Sequence, residues 1–217
     1  MSEAMRIRWQ GHSCFEFFGP KNSVITDPHD GKSIGIKPPI SNADIVLVSH
    51  DHFDHNATRM IKNEHSTIIS QIGKHEVKGT VFEGLPSFHD DQQGALRGSN
   101  IIYKFKMDGI NICHCGDLGD TPSEDVIKAI RKVDILFIPV GEIYTLSIPL
   151  LKDFIRRVEP KIVVPMHYRV GGITLPLKTV DDFLNGIPKD NILYVGNEVE
   201  LSTDELDEFL GVWVFDR

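Results

Sequence analysis

The chain has 217 residues, of which 41% are hydrophobic and 25% charged, an ordinary globular composition that excludes disordered and fibrous classes. A formal net charge of -8 sets the overall field against polyanions and argues against extended nucleic-acid binding. No run approaches the roughly 20 apolar residues that span a bilayer, so no membrane partner is expected.

A single domain over residues 1–217 is expected from the length. The opening lacks the apolar core of a signal peptide, and the cysteines (Cys14, Cys113 and Cys115) are odd in number with two of them one residue apart. A cytoplasmic, reducing compartment is the expectation.

Residues 6–10, 14–18 and 24–26 read as short strands, with Gly19-Pro20-Lys21-Asn22 as the turn between the second and third. Residues 29–41, rich in Gly and Pro, read as a surface loop suited to cover a site. Residues 44–49 form a continuous apolar run that delivers the chain into His50, the pattern of a strand buried on both faces. Residues 56–63 suit a short helix and 67–70 another buried strand. From 74 to 115 the pattern is β, with Asp108-Gly109 as a two-residue hairpin turn. A helix is predicted next, with Thr121 as N-cap, Pro122 at its first position, Glu124 completing a capping box, and Val126, Ile127 and Ile130 on one face. Residues 134–140 and 161–165 read as buried strands, 148–158 and 179–184 as helices, and 192–195 as a late strand. This order predicts an α+β fold, a four-layer αββα sandwich of two mixed β-sheets flanked by helices.

The densest chemistry is Ser49-His50-Asp51-His52-Phe53-Asp54-His55, three imidazoles and two carboxylates directly after a strand. In extended backbone His50 and His52 share a side and reach one cation, while the following turn aims Asp54 and His55 at a neighbour. A lone H-x-H is commonplace in polar turns; the full H-x-H-x-D-H pattern concentrates the donors that divalent metals require. His89, Asp117 and His167 each follow a predicted strand. Singly they read equally well as a surface-loop residue, a turn residue beside Gly116 and a strand-end cap; their common position at strand ends favours a shared site. Cys113-His114-Cys115 reads as buried strand residues rather than a thiolate site, since neighbours in a strand face opposite ways.

The series H-x-H-x-D-H, then His89, then Asp117 after Gly116, then His167 resembles the ligand series of the metallo-β-lactamase superfamily. The phrases Val140-Gly141-Glu142-Ile143-Tyr144-Thr145 and Val164-Pro165-Met166-His167-Tyr168, with Gly11-His12-Ser13-Cys14-Phe15, resemble the branch of small metal-dependent hydrolases that includes ascorbate-6-phosphate lactonases. The resemblance implies one metal on His50, His52 and His89, a second on Asp54, His55 and His167, and Asp117 as the bridge. It also implies a site at one edge between the sheets, with Asp27 steadying the ligand loop.

The pattern departs from that of the superfamily's antibiotic-destroying members, some of which carry arginine where this chain has His55 and many of which carry cysteine where it has Asp117. It departs from redox di-iron members too, with glutamate at His52, and no flavin domain follows within these residues. A hydrolase is therefore expected, holding two divalent ions, with zinc preferred and manganese or iron open because no thiolate decides. Asp117 and Asp54 are the expected catalytic carboxylates. His12, Tyr144 and Tyr168 are candidates to touch substrate, although a turn histidine and packing tyrosines read almost as well. The expected reaction is cleavage of an ester or lactone of a small anionic metabolite by hydroxide generated at the metals. The alternatives are a phosphodiesterase or nuclease using the same site, and a metal-holding or ligand-sensing protein without turnover.

Overall fold

The computed structural model describes residues 4–216. Strands β1 (Met5–Gly11), β2 (Cys14–Phe18), β3 (Ser23–Thr26), β4 (Ile45–Leu47) and β5 (Thr67–Ile69) open the chain. They are followed by β6 (Gly73–Val77), β7 (Thr80–Phe88), β8 (Ser99–Met107) and β9 (Ile110–His114). Helix α1 (Glu124–Ile130), β10 (Ile135–Pro139), α2 (Ile148–Val158), β11 (Ile162–Met166) and α3 (Val180–Leu184) alternate next, before β12 (Ile192–Tyr194), β13 (Glu198–Leu201) and β14 (Gly211–Val214).

These strands build two mixed sheets, a six-stranded one in the order β13-β1-β2-β3-β4-β5 and an eight-stranded one in the order β12-β14-β11-β10-β9-β8-β7-β6. The sheets meet face to face through interlocked aromatic rings. Phe15 of β2 stands 4.6 Å from Phe137 of β10, and Phe17 lies 5.4 Å from Phe105 of β8. One apolar cluster runs through both inner faces and on to the buried sides of α1 (Val126, Ile127, Ile130) and α2 (Leu151, Phe154, Val158). The result is the expected α+β sandwich. No helix among the described residues is long and apolar enough to cross a membrane.

The outer face of the first sheet is covered more thinly than expected. Residues 56–63 form only a 3-10 turn, Thr58–Met60, whose following Ile61 packs on Cys14, Ile25 and Val46. Tertiary bonds override the helical pattern there, because Ala57 N donates to Pro28 O at 2.7 Å and Lys62 N to Ser41 O at 3.1 Å. Strand β5 is an edge strand with Ile68 half exposed, not a buried one. Helix α1 starts two residues later than the capping-box reading: Ser123, not Thr121, is the N-cap, and its hydroxyl accepts from Val126 N.

The topology gathers strand ends at one edge. β3 and β4 run parallel, as do β9, β10 and β11, and β7 points the same way as β9 because each is antiparallel to β8. The segments leaving β3, β4, β7, β9 and β11 therefore emerge together. These segments carry Asp27, His50 to His55, His89, Asp117 and His167.

Candidate metal centre

The chain leaves β3 at Asp27, whose φ of 41° turns the backbone and aims its carboxylate back at the loop after β4. Asp27 Oδ1 accepts from Ser49 N at 2.7 Å and Oδ2 from Ser49 Oγ at 2.7 Å. Since the Ser49 hydroxyl spends its proton on Asp27, its contact with His50 Nδ1 at 2.9 Å must be donated by the imidazole. His50 is thereby fixed with Nδ1 protonated and Nε2 free. Asp27 Oδ2 also takes the Nδ1 proton of His55 at 3.0 Å, freeing its Nε2 in turn. Both Nε2 atoms are buried without a hydrogen-bond partner, an arrangement that costs energy unless a cation occupies the space they face.

Asp117 stands at the centre. Its Oδ2 lies 3.2 Å from His55 Nε2, 3.2 Å from His167 Nε2, 3.3 Å from His89 Nε2 and 3.8 Å from His50 Nε2. Asn100, a residue the sequence does not single out, sets this pose: its amide donates to Ser87 Oγ and Cys115 O while Oδ1 accepts from Asp117 N at 3.0 Å. Gly116, at φ 54°, completes the turn where a Cβ would fall 2.3 Å from Asn100 Oδ1 and 2.5 Å from Ser49 Cβ.

Potential ligand atoms fall into three groups, each within 4.8 Å: His50, His52 and His89; His50, His55 and Asp117; and His12, Asp54, His55 and His167. All seven ligand residues expected from the sequence are thus brought together. Burial opposes charge on the Asp117 carboxyl, yet His167 and His55 beside it hold it well below the carboxylate range. Burial also opposes charge on Asp54, and His55 and His12 likewise outweigh it. Burial pushes His50 down to about 3, helped by repulsion from His55, so its lone pair is available for a cation at any physiological pH. His55 goes the other way: burial would lower it, but Asp117 and Asp54 raise it well above the usual range. The carboxylates demand a positive charge at this spot, which a divalent ion supplies in place of the proton. The donor set, imidazole nitrogens with carboxylate oxygens and free lone pairs converging, fits such an ion.

The three candidates for substrate contact separate. Tyr144 lines the cavity of about 230 Å³ at the cluster, together with His52, Phe53, Arg97 and Leu175. His12 does not line it: at 0% exposure it sits behind Asp54 and His167, its Nε2 3.0 Å from Asp54 Oδ2 and its carbonyl accepting from His167 N. Tyr168 does not reach it either. With His167 at φ 54° the chain reverses, and the Tyr168 ring turns inward against Trp9 while its hydroxyl donates to Phe215 O at 2.6 Å. No residue of the loop over 29–41 lines this cavity, although Ile34 O accepts from Thr174 N, beside the lining residue Leu175. The cysteines are buried and form no disulfide among the described residues, and His114 is occupied by Ser13 O and Gly116 N, in keeping with a structural role for this stretch.

Comparison with known proteins agrees with this geometry. Residues 6–167 match the family model described as the beta-lactamase superfamily domain. A UPF0173 metal-dependent hydrolase of Thermoplasma acidophilum is 30% identical over 190 residues, covering 76% of this chain and 84% of that protein. A second, from Archaeoglobus fulgidus, is 29% identical over 214 residues, covering 84% and 90%. A Thermotoga maritima protein described as a candidate Zn-dependent hydrolase of the metallo-β-lactamase superfamily superposes with a TM-score of 0.80 at 32% identity, covering 97% of this chain and 98% of that one. Sandwich, strand-end cluster and kinship converge: this chain belongs to the metallo-β-lactamase superfamily, as a metal-dependent hydrolase.

Proposed function

We propose that the cluster holds two divalent ions, zinc by preference, and cleaves an ester or lactone of a small anionic metabolite. The observation that carries the two-ion reading is the position of Asp117: one carboxylate oxygen is within 3.2–3.8 Å of four imidazole nitrogens. This supports a bridging role for Asp117 between a first set, His50, His52 and His89, and a second, Asp54, His55 and His167, drawn from the group in which these three lie together with His12. Divalent ions bound there supply an acidified water and a Lewis acid for the substrate oxygen, so no protein nucleophile is required.

The chain's own residues do the positioning. Asp27 and Ser49 lock the tautomers of His50 and His55. His12 steadies Asp54, whose carboxylate lines the cavity and orients the attacking water, and the Asp117 carboxylate moves the proton toward the leaving group. Tyr144 lines the cavity wall, which supports a role for its hydroxyl as donor to the developing oxyanion. Elemental mass spectrometry of wild type and Asp117→Asn, followed by a lactone and ester panel beside a generic phosphodiester, tests the proposal. Close to two equivalents of metal, falling in the variant, with ester or lactone turnover, is the expected result. No bound metal after reconstitution, or turnover of the phosphodiester alone, overturns it.

A further inference from the structure

Beside the cavity at the cluster lies a second one of about 370 Å³. His89, Arg97 and Tyr144 line both, so the two adjoin along a shared wall. Arg97 is the one lysine or arginine among the described residues that line either cavity. Its guanidinium lies 4.2 Å over the Tyr144 ring, a cation–π contact that holds the head without using its hydrogen-bond donors.

Carboxylates near Arg97 are otherwise engaged. Asp90 accepts four backbone N–H groups, from Gln92, Gly94, Leu96 and Arg97, which fixes the loop that presents the guanidinium. Asp91 accepts from the Gln92 side chain and Asp120 from Thr121 N. No acidic residue among the described residues forms an ion pair with Arg97. An acidic protein that keeps an unpaired, ring-braced arginine beside its metal centre has a planar fork suited to a carboxylate or a phosphate. Beyond Arg97 the second cavity is lined by both polar and apolar side chains, Asp90, Asp91 and Asp120 among the former, and its apolar share includes three exposed residues, Leu96 at 75%, Leu150 at 51% and Ile143 at 48%.

We propose that Arg97 recognises an anionic group of the substrate and that Leu96, Ile143 and Leu150 receive an apolar chain extending from it. The substrate class is then an amphiphilic anionic ester, a carboxylate or phosphate next to the scissile bond with a hydrocarbon arm in the second cavity. This inference rests on the hydrolase reading above and names the substrate of that same site.

The test is binding, not turnover. Calorimetry on the zinc-reconstituted protein is run with decanoate, octyl phosphate, acetate and inorganic phosphate, on wild type, Arg97→Gln, Arg97→Lys and Leu150→Ser, after melting curves confirm that each variant folds. The long-chain anions should bind more tightly than the short ones in wild type. Arg97→Gln should weaken them about tenfold, the worth of one charge-assisted contact at a partly open site, with Arg97→Lys recovering part. Leu150→Ser should shrink the advantage of the long chain. Whichever long-chain anion binds more tightly identifies the head group. Equal affinity in wild type and Arg97→Gln overturns the anion assignment, and equal affinity for short and long chains overturns the apolar assignment. Ester turnover is measured separately. An inert panel beside Arg97-dependent binding defeats the hydrolase reading and leaves the anion site intact.

Discussion

The His12 imidazole, fully buried, holds Asp54 by its Nε2 at 3.0 Å while its own carbonyl accepts the backbone N–H of His167. Burial pushes this imidazole down to about 3, with repulsion from His167 adding to the effect, so it is neutral and donates the Nε2 proton to the carboxylate. One residue outside the cavity thus fixes two of the proposed ligands. Replacing His12 with Leu is expected to lower metal affinity about 10–100-fold, the usual cost of removing an outer partner of a ligand, and His12→Gln to recover part by restoring a donor. Chelator competition on the folded proteins reads this. Unchanged affinity in His12→Leu would show that Asp54 needs no support.

Ser49 hands the Asp27 charge on to His50. Ser49→Ala removes that link and leaves His50 Nδ1 with no partner to fix its tautomer, while Asp27 still grips His55. Metal should be lost selectively from the set formed by His50, His52 and His89. Titration of the stripped variant is expected to show one weakened step rather than two; a fall in both would mean that the two sets are not separable.

Gly119 lies against the backbone of His89. A Cβ there would sit 2.2 Å from His89 C and 2.5 Å from Asp90 N, rigid atoms that cannot swing away. Gly119→Ala should cost about 2–4 kcal/mol by overpacking and displace His89. Urea denaturation and metal content should fall together.

His114 supplies an acid-sensitive element outside the ligand set. Burial lowers its pKa below 6.5, against the attraction of Asp27, and its ring is held neutral between Ser13 O and Gly116 N. Below 6.5 the unfolded chain binds a proton there that the folded one refuses, so its contribution to stability is full above 6.5 and declines as pH falls toward the lowered folded value. The stability of the metal-free protein measured at pH 5 and pH 7 should drop with acid, and His114→Gln should remove up to about 1.4 kcal/mol per pH unit of that slope. An unaltered slope would exclude His114 as a contributor.

The convergence of the seven proposed ligand residues is legible in the sequence because rare imidazole and carboxylate residues fall in short runs at strand ends, which the topology brings to one edge. The hairpin at Asp108-Gly109 was equally plain, both residues taking positive φ as a two-residue turn requires. Residues that give the site its rigidity were not. Ser49 and Asn100 are ordinary polar residues whose meaning arises only when β3, β4, β8 and β9 are side by side. Tyr168 misled because adjacency to His167 says nothing of direction once the backbone reverses at positive φ. Strands β13 and β14 are too short to carry a pattern, and exist through pairing with β1 and with β11 and β12.

Asp90 closes residues 90–97 into a ring of backbone bonds at the foot of the loop, with His89 on one side and Arg97 on the other. Its middle, Gln92, Gln93 and Ala95, is exposed and takes no part in holding either end by side chain beyond the Gln92 contact to Asp91. The loop is therefore a cassette with a fixed socket. The side chains of Gln92, Gln93 and Ala95 can be exchanged while the backbone bonds to Asp90 that fix the loop stay in place, so the surface beside the cluster can change its chemistry while the cluster keeps its geometry.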